Sequence, residues 1–231
     1  MRQSEGVASP ALPLFDAVVL AGGAARRLGG EDKPGLVVGG ASLLDRVLAA
    51  CAAAQRTVVV GPERPTARPV RWTRETPPGG GPVAGLAAGM ESVTAEVVVL
   101  LAADLPFLDA PTVHALVAAL DPHVDADRDV GAGAGAGADG VLLDGVVLVD
   151  ADGRDQPLAA AYRTAVLRAK LAQLPSPEGA PLRALTRDLH LLRLPDTRHA
   201  AVDCDTWDDV HEARLRADRM DGAPHTPPSP R

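Results

Sequence analysis

The sequence predicts an α/β fold: a Rossmann-like, mostly parallel sheet with helices on both faces. Three observations lead there. Short β-branched runs alternate with segments of helical spacing through the first half of the chain. Runs such as FDAVVL and EVVVLLA are almost continuously apolar, as strands buried on both faces are. A length of 231 residues with 46% apolar content suffices for one domain with a sizeable core. With aromatics at only 2%, that core must rest on Ala, Val and Leu.

The elements follow in order. Residues 1–13 are polar, Pro-containing and unpatterned, and are expected to be a disordered leader. A buried strand is predicted over 16–20, followed by a glycine loop. Residues 42–54 have helical spacing, with Leu43, Leu44, Val47 and Leu48 sharing one face. Strands follow at 57–60, stopped by Gly61-Pro62, and at 70–73. The breaker-rich ETPPGGGPVAG leads into a helix over 83–92. A strand over 96–102 ends at Asp104-Leu105-Pro106, and a helix over 110–120 carries Pro111 in its first turn, where proline is tolerated. Residues 121–139, an acidic stretch followed by Gly-Ala repeats, read as a flexible insertion. Beyond it come strands at 140–149 and 156–162 around the turn DADGRD, then a helix at 164–174. A short helix at 181–188, strands at 189–194 and 201–205, and a helix at 208–219 complete the pattern. The expected organisation is a single domain over 14–217 and a disordered tail over 218–231.

Composition narrows the function. A net charge of −7 and a pI near 5.3 argue against a general nucleic-acid binder, so two adjacent arginines near the N-terminus are a local feature of an acidic chain. The apolar stretches are far shorter than a membrane span, and no basic start precedes a signal-type stretch. Two cysteines, Cys51 and Cys204, make neither a disulfide framework nor a structural zinc site. No membrane partner and a reduced, cytoplasmic setting are the expectation.

Functional residues of a parallel sheet gather beyond the C-terminal ends of its strands. Two segments stand there. The first is LAGGAARRLGGEDKPGL, residues 20–36. Glycines let backbone N–H groups approach a phosphate closely. Arg26, Arg27 and Lys33 then neutralise its oxygens, arginine through a planar fork and lysine as a point charge. The pattern is neither GxxxxGK(S/T) nor GxGxxG, so it points to neither a P-loop nor a dinucleotide fold. On spacing alone, a flexible turn with solvated arginines stays open. The second segment carries Asp104, which a rigid strand end would present to a hard cation such as Mg²⁺. Asp109 is better placed than Asp104 to cap the following helix. Asp203 and Asp205 offer further carboxylates, though Asp205 is also placed to cap the last helix. Gln156 by itself reads equally well as a satisfied core amide. Cys204 lies between two aspartates, which disfavour a reactive thiolate.

LAGGAARRLGGEDKPGL resembles the signature of the molybdenum cofactor guanylyltransferase family: LAGG, a small residue, x-R-(M/L)-G, then D-K. GPVAGLAAG, LLAADLPFL, GRDQPLAAAYR and VDCDTWDDV resemble that family's later segments and come in its order, so the resemblance covers about 16–210. It implies transfer of GMP from GTP to the phosphate of molybdenum-molybdopterin with Mg²⁺ as cofactor, and transient contacts with cofactor-biosynthesis or molybdoenzyme partners. By position it implies that Leu20, Ala21, Gly22 and Gly23 line the nucleotide, and that Arg26 and Lys33 hold the triphosphate. Asp104 would bind magnesium, with Asp205 or Asp203 beside it. Glu75 would face guanine and Gly61 the nucleotide, both as loose matches, while Gln156 and Pro157 would face the acceptor. Ala103 stands where the family often has Cys, and Pro34 and the Gly-Ala insertion are further departures. Three readings therefore remain: guanylyl transfer; a same-fold nucleotidyltransferase using another base or acceptor (cytidylyl transfer to molybdopterin, a sugar phosphate, phospholactate); and a non-catalytic nucleotide-binding accessory protein.

Overall fold

A computed structural model describes residues 12–23, 29–120 and 142–221. Its strands are β1 (Phe15–Leu20), β2 (Val37–Val38), β3 (Ala41–Ser42), β4 (Thr57–Val60), β5 (Arg71–Thr73), β6 (Val97–Ala102), β7 (Gly145–Val149), β8 (Asp155–Arg163) and β9 (Leu191–Pro195). Its helices are α1 (Leu43–Ala50), α2 (Pro82–Met90), α3 (Ala110–Ala118), α4 (Thr164–Gln173), α5 (Arg183–Thr186) and α6 (Trp207–Asp221).

Seven strands form one sheet in the order β5-β4-β1-β6-β8-β7-β9. The first four are mutually parallel, β8 runs antiparallel to both β6 and β7, and β9 is parallel to β7. The expected mostly parallel α/β sheet is what the chain adopts. Its consequence for function is that β1, β4, β5 and β6 all end on one rim.

Alternation along these strands explains the continuous apolar runs. Ala17, Val19, Val99 and Leu101 pack with α1 and α3 through Leu44, Val47, Leu48, Val113 and Leu116. Val18, Val58, Val98 and Leu100 face the other way, onto Val83 and Leu86 of α2 and Leu167 of α4. Successive side chains of a strand point to opposite faces, so a sheet covered twice has no polar positions to spare. Each fully buried Leu or Val contributes about 1.5–3 kcal/mol. The one buried acid among the described residues, Asp16, is committed to structure: its carboxylate accepts the N–H groups of Thr94 (2.6 Å) and Ala95 (3.0 Å), tying the turn before β6 to β1.

Several expectations need correction. Leu12, within the expected leader, packs against the core. Residues 201–205 form no strand; the Asp196 carboxylate accepts the N–H groups of Ala200 and Ala201, both at 2.8 Å, and turns the chain there. The last helix reaches Asp221 rather than giving way to a tail at 218, because Val210, Ala213 and Ala217 form a continuous buried face against Val38 and Leu43. The small β2–β3 ribbon, to which that face docks, was not anticipated. The Gly-Ala segment over 121–139 lies outside the described residues.

Candidate active site

The parallel rim carries the two segments singled out from the sequence. Leu20 ends β1 and leads into Ala21, Gly22 and Gly23; Val60 ends β4 and leads into Gly61; Ala102 ends β6 two residues before Asp104. Backbone pairing continues past the strand ends: Ala21 donates to the Val60 carbonyl (2.8 Å), Gly61 to Thr73 (2.9 Å) and Ala103 to Leu20 (3.0 Å). The rim is therefore fixed by hydrogen bonds, although its residues are loop residues. These segments, with residues 30–34, Arg64, Arg74, Glu75, the start of α2 and Leu158, enclose a cleft of about 700 Å³.

Gly61 is explained by this closeness. A Cβ there would lie 2.7 Å from the Ala21 carbonyl oxygen and 3.2 Å from the Gly22 nitrogen. Helix α2 reaches the cleft for a related reason. Gly89 brings its axis down onto β1 and β4, where a Cβ would meet Val18 Cγ1 at 2.6 Å. The first turn of α2, with Gly81 at φ 89° and Pro82 at its start, thus opens into the cleft, with N–H groups that have no intrahelical acceptor.

Lys33 begins a short 3-10 turn over Lys33–Gly35, in which Pro34 sits where its missing N–H costs nothing. Its ammonium pairs with Asp104 and with Asp205 Oδ1 at 2.6 Å. Burial alone would lower the Lys33 pKa, but the charges and hydrogen bonds of Asp104 and Asp205 outweigh it and hold the pKa above the ordinary lysine value. Carboxylate oxygens of Asp104, Asp203 and Asp205 lie within 4.8 Å of one another. Burial, then the like charges of Asp205 and Asp104, push the Asp203 pKa upward against the opposing pull of Lys33.

Asp104 Oδ1 is buried and has no hydrogen-bond partner among the described residues. An orphaned carboxylate oxygen, with two further carboxylates in reach, is the hard donor set a magnesium ion takes. The residues present fit that ion. The helix-cap reading of Asp205 does not hold. Thr206 caps α6, since the Asp209 N–H donates to Thr206 Oγ1 (3.2 Å) and the Thr206 N–H donates back to the Asp209 carboxylate (2.6 Å). Asp109 caps α3 through Thr112, as the sequence suggests.

The remaining residues divide. Leu20, Ala21, Gly22, Gly23, Lys33, Gly61, Glu75 and Asp104 all line the one cleft. Glu75 also accepts the Gly79 N–H at 2.8 Å, so it shapes the PPGGGP loop. Gln156 is not among the lining residues; its amide donates to Asp150 at 2.7 Å. The β7–β8 register jumps there, pairing Leu148 with Gln156 but Val147 with Ala160. Pro157, with no N–H to offer a ladder, lies in this bulge, and the adjacent Leu158 lines the cleft. Arg26 and Arg27 lie outside the described residues.

Sequence reasoning missed Asp32, Arg64 and Arg74. Asp32 pairs with the largely buried Arg64 guanidinium at 2.6 Å, strapping the segment before Lys33 to the loop after β4. A charged residue just beyond the end of a buried parallel strand was the available signal. Among the described residues lining the cleft, three cations (Lys33, Arg64, Arg74) face four carboxylates (Glu31, Asp32, Glu75, Asp104). A polyanion therefore enters more readily with a divalent cation than alone. Cys204 lies behind the site, its thiol pushed up to about 12 by burial and then by the charges of Asp104 and Asp209, so it is no nucleophile.

Residues 17–194 match the MobA-like NTP transferase domain. The chain belongs to that family. Among relatives of this MobA-like protein, the molybdenum cofactor guanylyltransferase of Bradyrhizobium sp. (strain ORS 278) is 38% identical over 112 residues, 44% of this chain and 53% of the relative. That of Mesorhizobium japonicum is 36% identical over 115 residues, 46% and 55%. The matched stretch thus spans about half the length of these relatives. Two solved structures share the fold. One is molybdopterin-guanine dinucleotide biosynthesis protein A of Archaeoglobus fulgidus, with TM-score 0.62, 21% identity and coverage of 89% of this chain and 100% of that one. The other is 2-C-methyl-D-erythritol 4-phosphate cytidylyltransferase of Thermus thermophilus, with TM-score 0.59, 18% identity and coverage of 87% and 98%. The chain is thus a member of a nucleotidyltransferase family, and these two structures share its fold. No helix among its described residues is long and apolar enough to cross a membrane.

Proposed function

We propose that this protein transfers GMP from GTP to the terminal phosphate of molybdenum-molybdopterin, releasing pyrophosphate. The observation that carries the reading is Asp104, held beyond β6 at the mouth of the glycine cleft and paired with Lys33. The relatives named molybdenum cofactor guanylyltransferase support the choice of nucleotide and acceptor.

In this reading the nucleotide lies over Leu20–Gly23 and Gly61, with α2's first turn and the loop N–H groups directed at its phosphates. Glu75, at the end of the cleft beyond β5, keeps acceptor capacity for the N–H groups of guanine even while bonded to Gly79. An oxygen of the acceptor phosphate attacks the α-phosphorus, the bond from that phosphorus to the bridging oxygen breaks, and the electron pair leaves with pyrophosphate. Arg26 and Lys33 stabilise the charge that gathers on the leaving group. Asp104 with Asp205 or Asp203 would hold magnesium, which would supply neutralisation of the phosphate charge. The acceptor is itself the nucleophile, so the protein contributes position and field rather than a covalent intermediate. Gln156 and Pro157, adjacent to the cleft-lining Leu158 though not themselves lining it, would contact the acceptor from outside the nucleotide cleft.

The test is pyrophosphate release with molybdenum-molybdopterin and each of GTP, CTP, ATP and UTP in magnesium. GTP should dominate, and Arg26→Ala or Lys33→Ala should each lower turnover by about 100-fold or more with an unchanged circular dichroism spectrum. Faster release with CTP would overturn the base assignment. Release only with a different phosphorylated acceptor would overturn the acceptor, and no release with any pair would leave a nucleotide-binding accessory protein.

A further inference from the structure

Lys33 stands where a cation between carboxylates belongs. Its ammonium touches Asp104 and lies 2.6 Å from Asp205 Oδ1, while oxygens of Asp104, Asp203 and Asp205 approach within 4.8 Å of one another. Three carboxylates at that spacing repel strongly unless a positive charge stands among them. The ammonium is an incomplete occupant, however: it pairs with one oxygen of Asp104 and leaves the other buried without a partner among the described residues.

A magnesium ion bonds oxygen at about 2.0–2.1 Å and cannot share the same oxygens with an ammonium in the same place. Its arrival must move Lys33. The geometry allows that movement without a change of fold. The backbone before Lys33 is strapped down by the Asp32–Arg64 ion pair at 2.6 Å, whereas the lysine stem is a flexible four-carbon chain lining the same cleft as the glycine loop. The ammonium can therefore leave the carboxylates and reach phosphates over the loop.

We infer that Lys33 is an internal counter-ion: it holds Asp104 and Asp205 in the nucleotide-free protein and is exchanged for the metal when nucleotide binds, which passes its charge to the phosphates. The inference rests on the nucleotidyl-transfer reading of this site. It gives the lysine a second task and makes metal and nucleotide arrive together, because the metal alone must compete with a tethered cation.

Mn²⁺ binding to the nucleotide-free protein, followed by electron paramagnetic resonance, tests it. Lys33→Met should bind Mn²⁺ at least about tenfold more tightly than the wild type, since the competitor is gone. Arg74→Met, which removes a charge lining the same cleft and leaves the Asp32–Arg64 strap in place, should stay within about twofold. Thermal melting gives a second readout. The wild-type midpoint should be the same in EDTA and in Mg²⁺, while Lys33→Met should melt lower in EDTA and recover in Mg²⁺. Equal Mn²⁺ affinity of Lys33→Met and the wild type, or equal tightening by Arg74→Met, would overturn the exchange. Guanylyl transfer in the release assay would survive that result, and failure of the release assay would leave the Mn²⁺ comparison intact.

Discussion

Gly22 and Gly61 are neighbours on the cleft floor, yet a methyl group would meet different surroundings at each. At Gly61 it would press on the Ala21 carbonyl carbon and oxygen at 2.9 and 2.7 Å, backbone atoms locked by the Ala21–Val60 hydrogen bond. At Gly22 the nearest atom is the Val60 carbonyl oxygen at 4.0 Å. Gly61→Ala should therefore destabilise the fold by about 1–3 kcal/mol. Gly22→Ala should leave stability within about 0.5 kcal/mol, while intruding on the space offered to the nucleotide and weakening its binding about tenfold or more. Urea denaturation beside nucleotide titration separates the two outcomes; equal stability losses would mean that both glycines serve the fold alone. The sequence showed both glycines and the residue types of the site. It could not show that Gly61 is needed by residues 21 and 22, or that Lys33 reaches an aspartate 172 positions away, because such contacts exist only once the sheet has formed.

Helix α2 makes the same point one level up. Its place over the cleft depends on how closely it lies on β1 and β4. A Cβ on Gly89 would stand 2.6 Å from Val18 and 3.1 Å from Val60 side-chain carbons, both residues being fully or almost fully buried. One on Gly85 would sit at 3.5 Å, an ordinary contact. Gly89→Ala should cost about 1–3 kcal/mol and, by lifting the helix, weaken nucleotide binding. Gly85→Ala should be neutral or stabilising by up to about 1 kcal/mol, from helix propensity. Differential scanning calorimetry of both variants checks this, and a Gly85→Ala loss as large as that of Gly89→Ala would contradict the packing argument. Helices α1 and α3 were legible from their helical spacing, and β6 from its unbroken apolar run. The β2–β3 ribbon was not, since two-residue strands carry no period. Residues 201–205 misled for the opposite reason: Val202 and Cys204 alternate with aspartates as a strand would, but alternation needs a ladder partner, and the sheet already ends at β9.

At the scale of the whole molecule, the described residues are organised around one seven-stranded sheet, and both its parallel and its antiparallel parts contribute to the site. Strands β1, β4 and β6 supply the floor, and β6 pairs directly with β8, which carries Leu158. The segment after β9 supplies Asp203 and Asp205. If this is a single cooperative unit, any probe should report the same transition, and two tryptophans are well placed to ask. Trp72 lies on the edge strand β5, while Trp207 begins α6, which packs against the β2–β3 ribbon outside the seven-stranded sheet. Variants keeping one tryptophan, with the other replaced by Phe, should give coincident urea midpoints by fluorescence. Saturating GTP with Mg²⁺ should then shift both reports together. Ligand at about 100 times Kd adds about 2.7 kcal/mol, which for a chain of this size raises the melting temperature by roughly 5–10 °C. Because the cleft's described charges lean negative, GTP in EDTA should give a much smaller shift than GTP with the metal. Separate midpoints, or a ligand shift felt at Trp72 but not at Trp207, would mean that the carboxylates after β9 belong to a unit that folds apart from the nucleotide rim, and the shared site would then be lost with the shared transition.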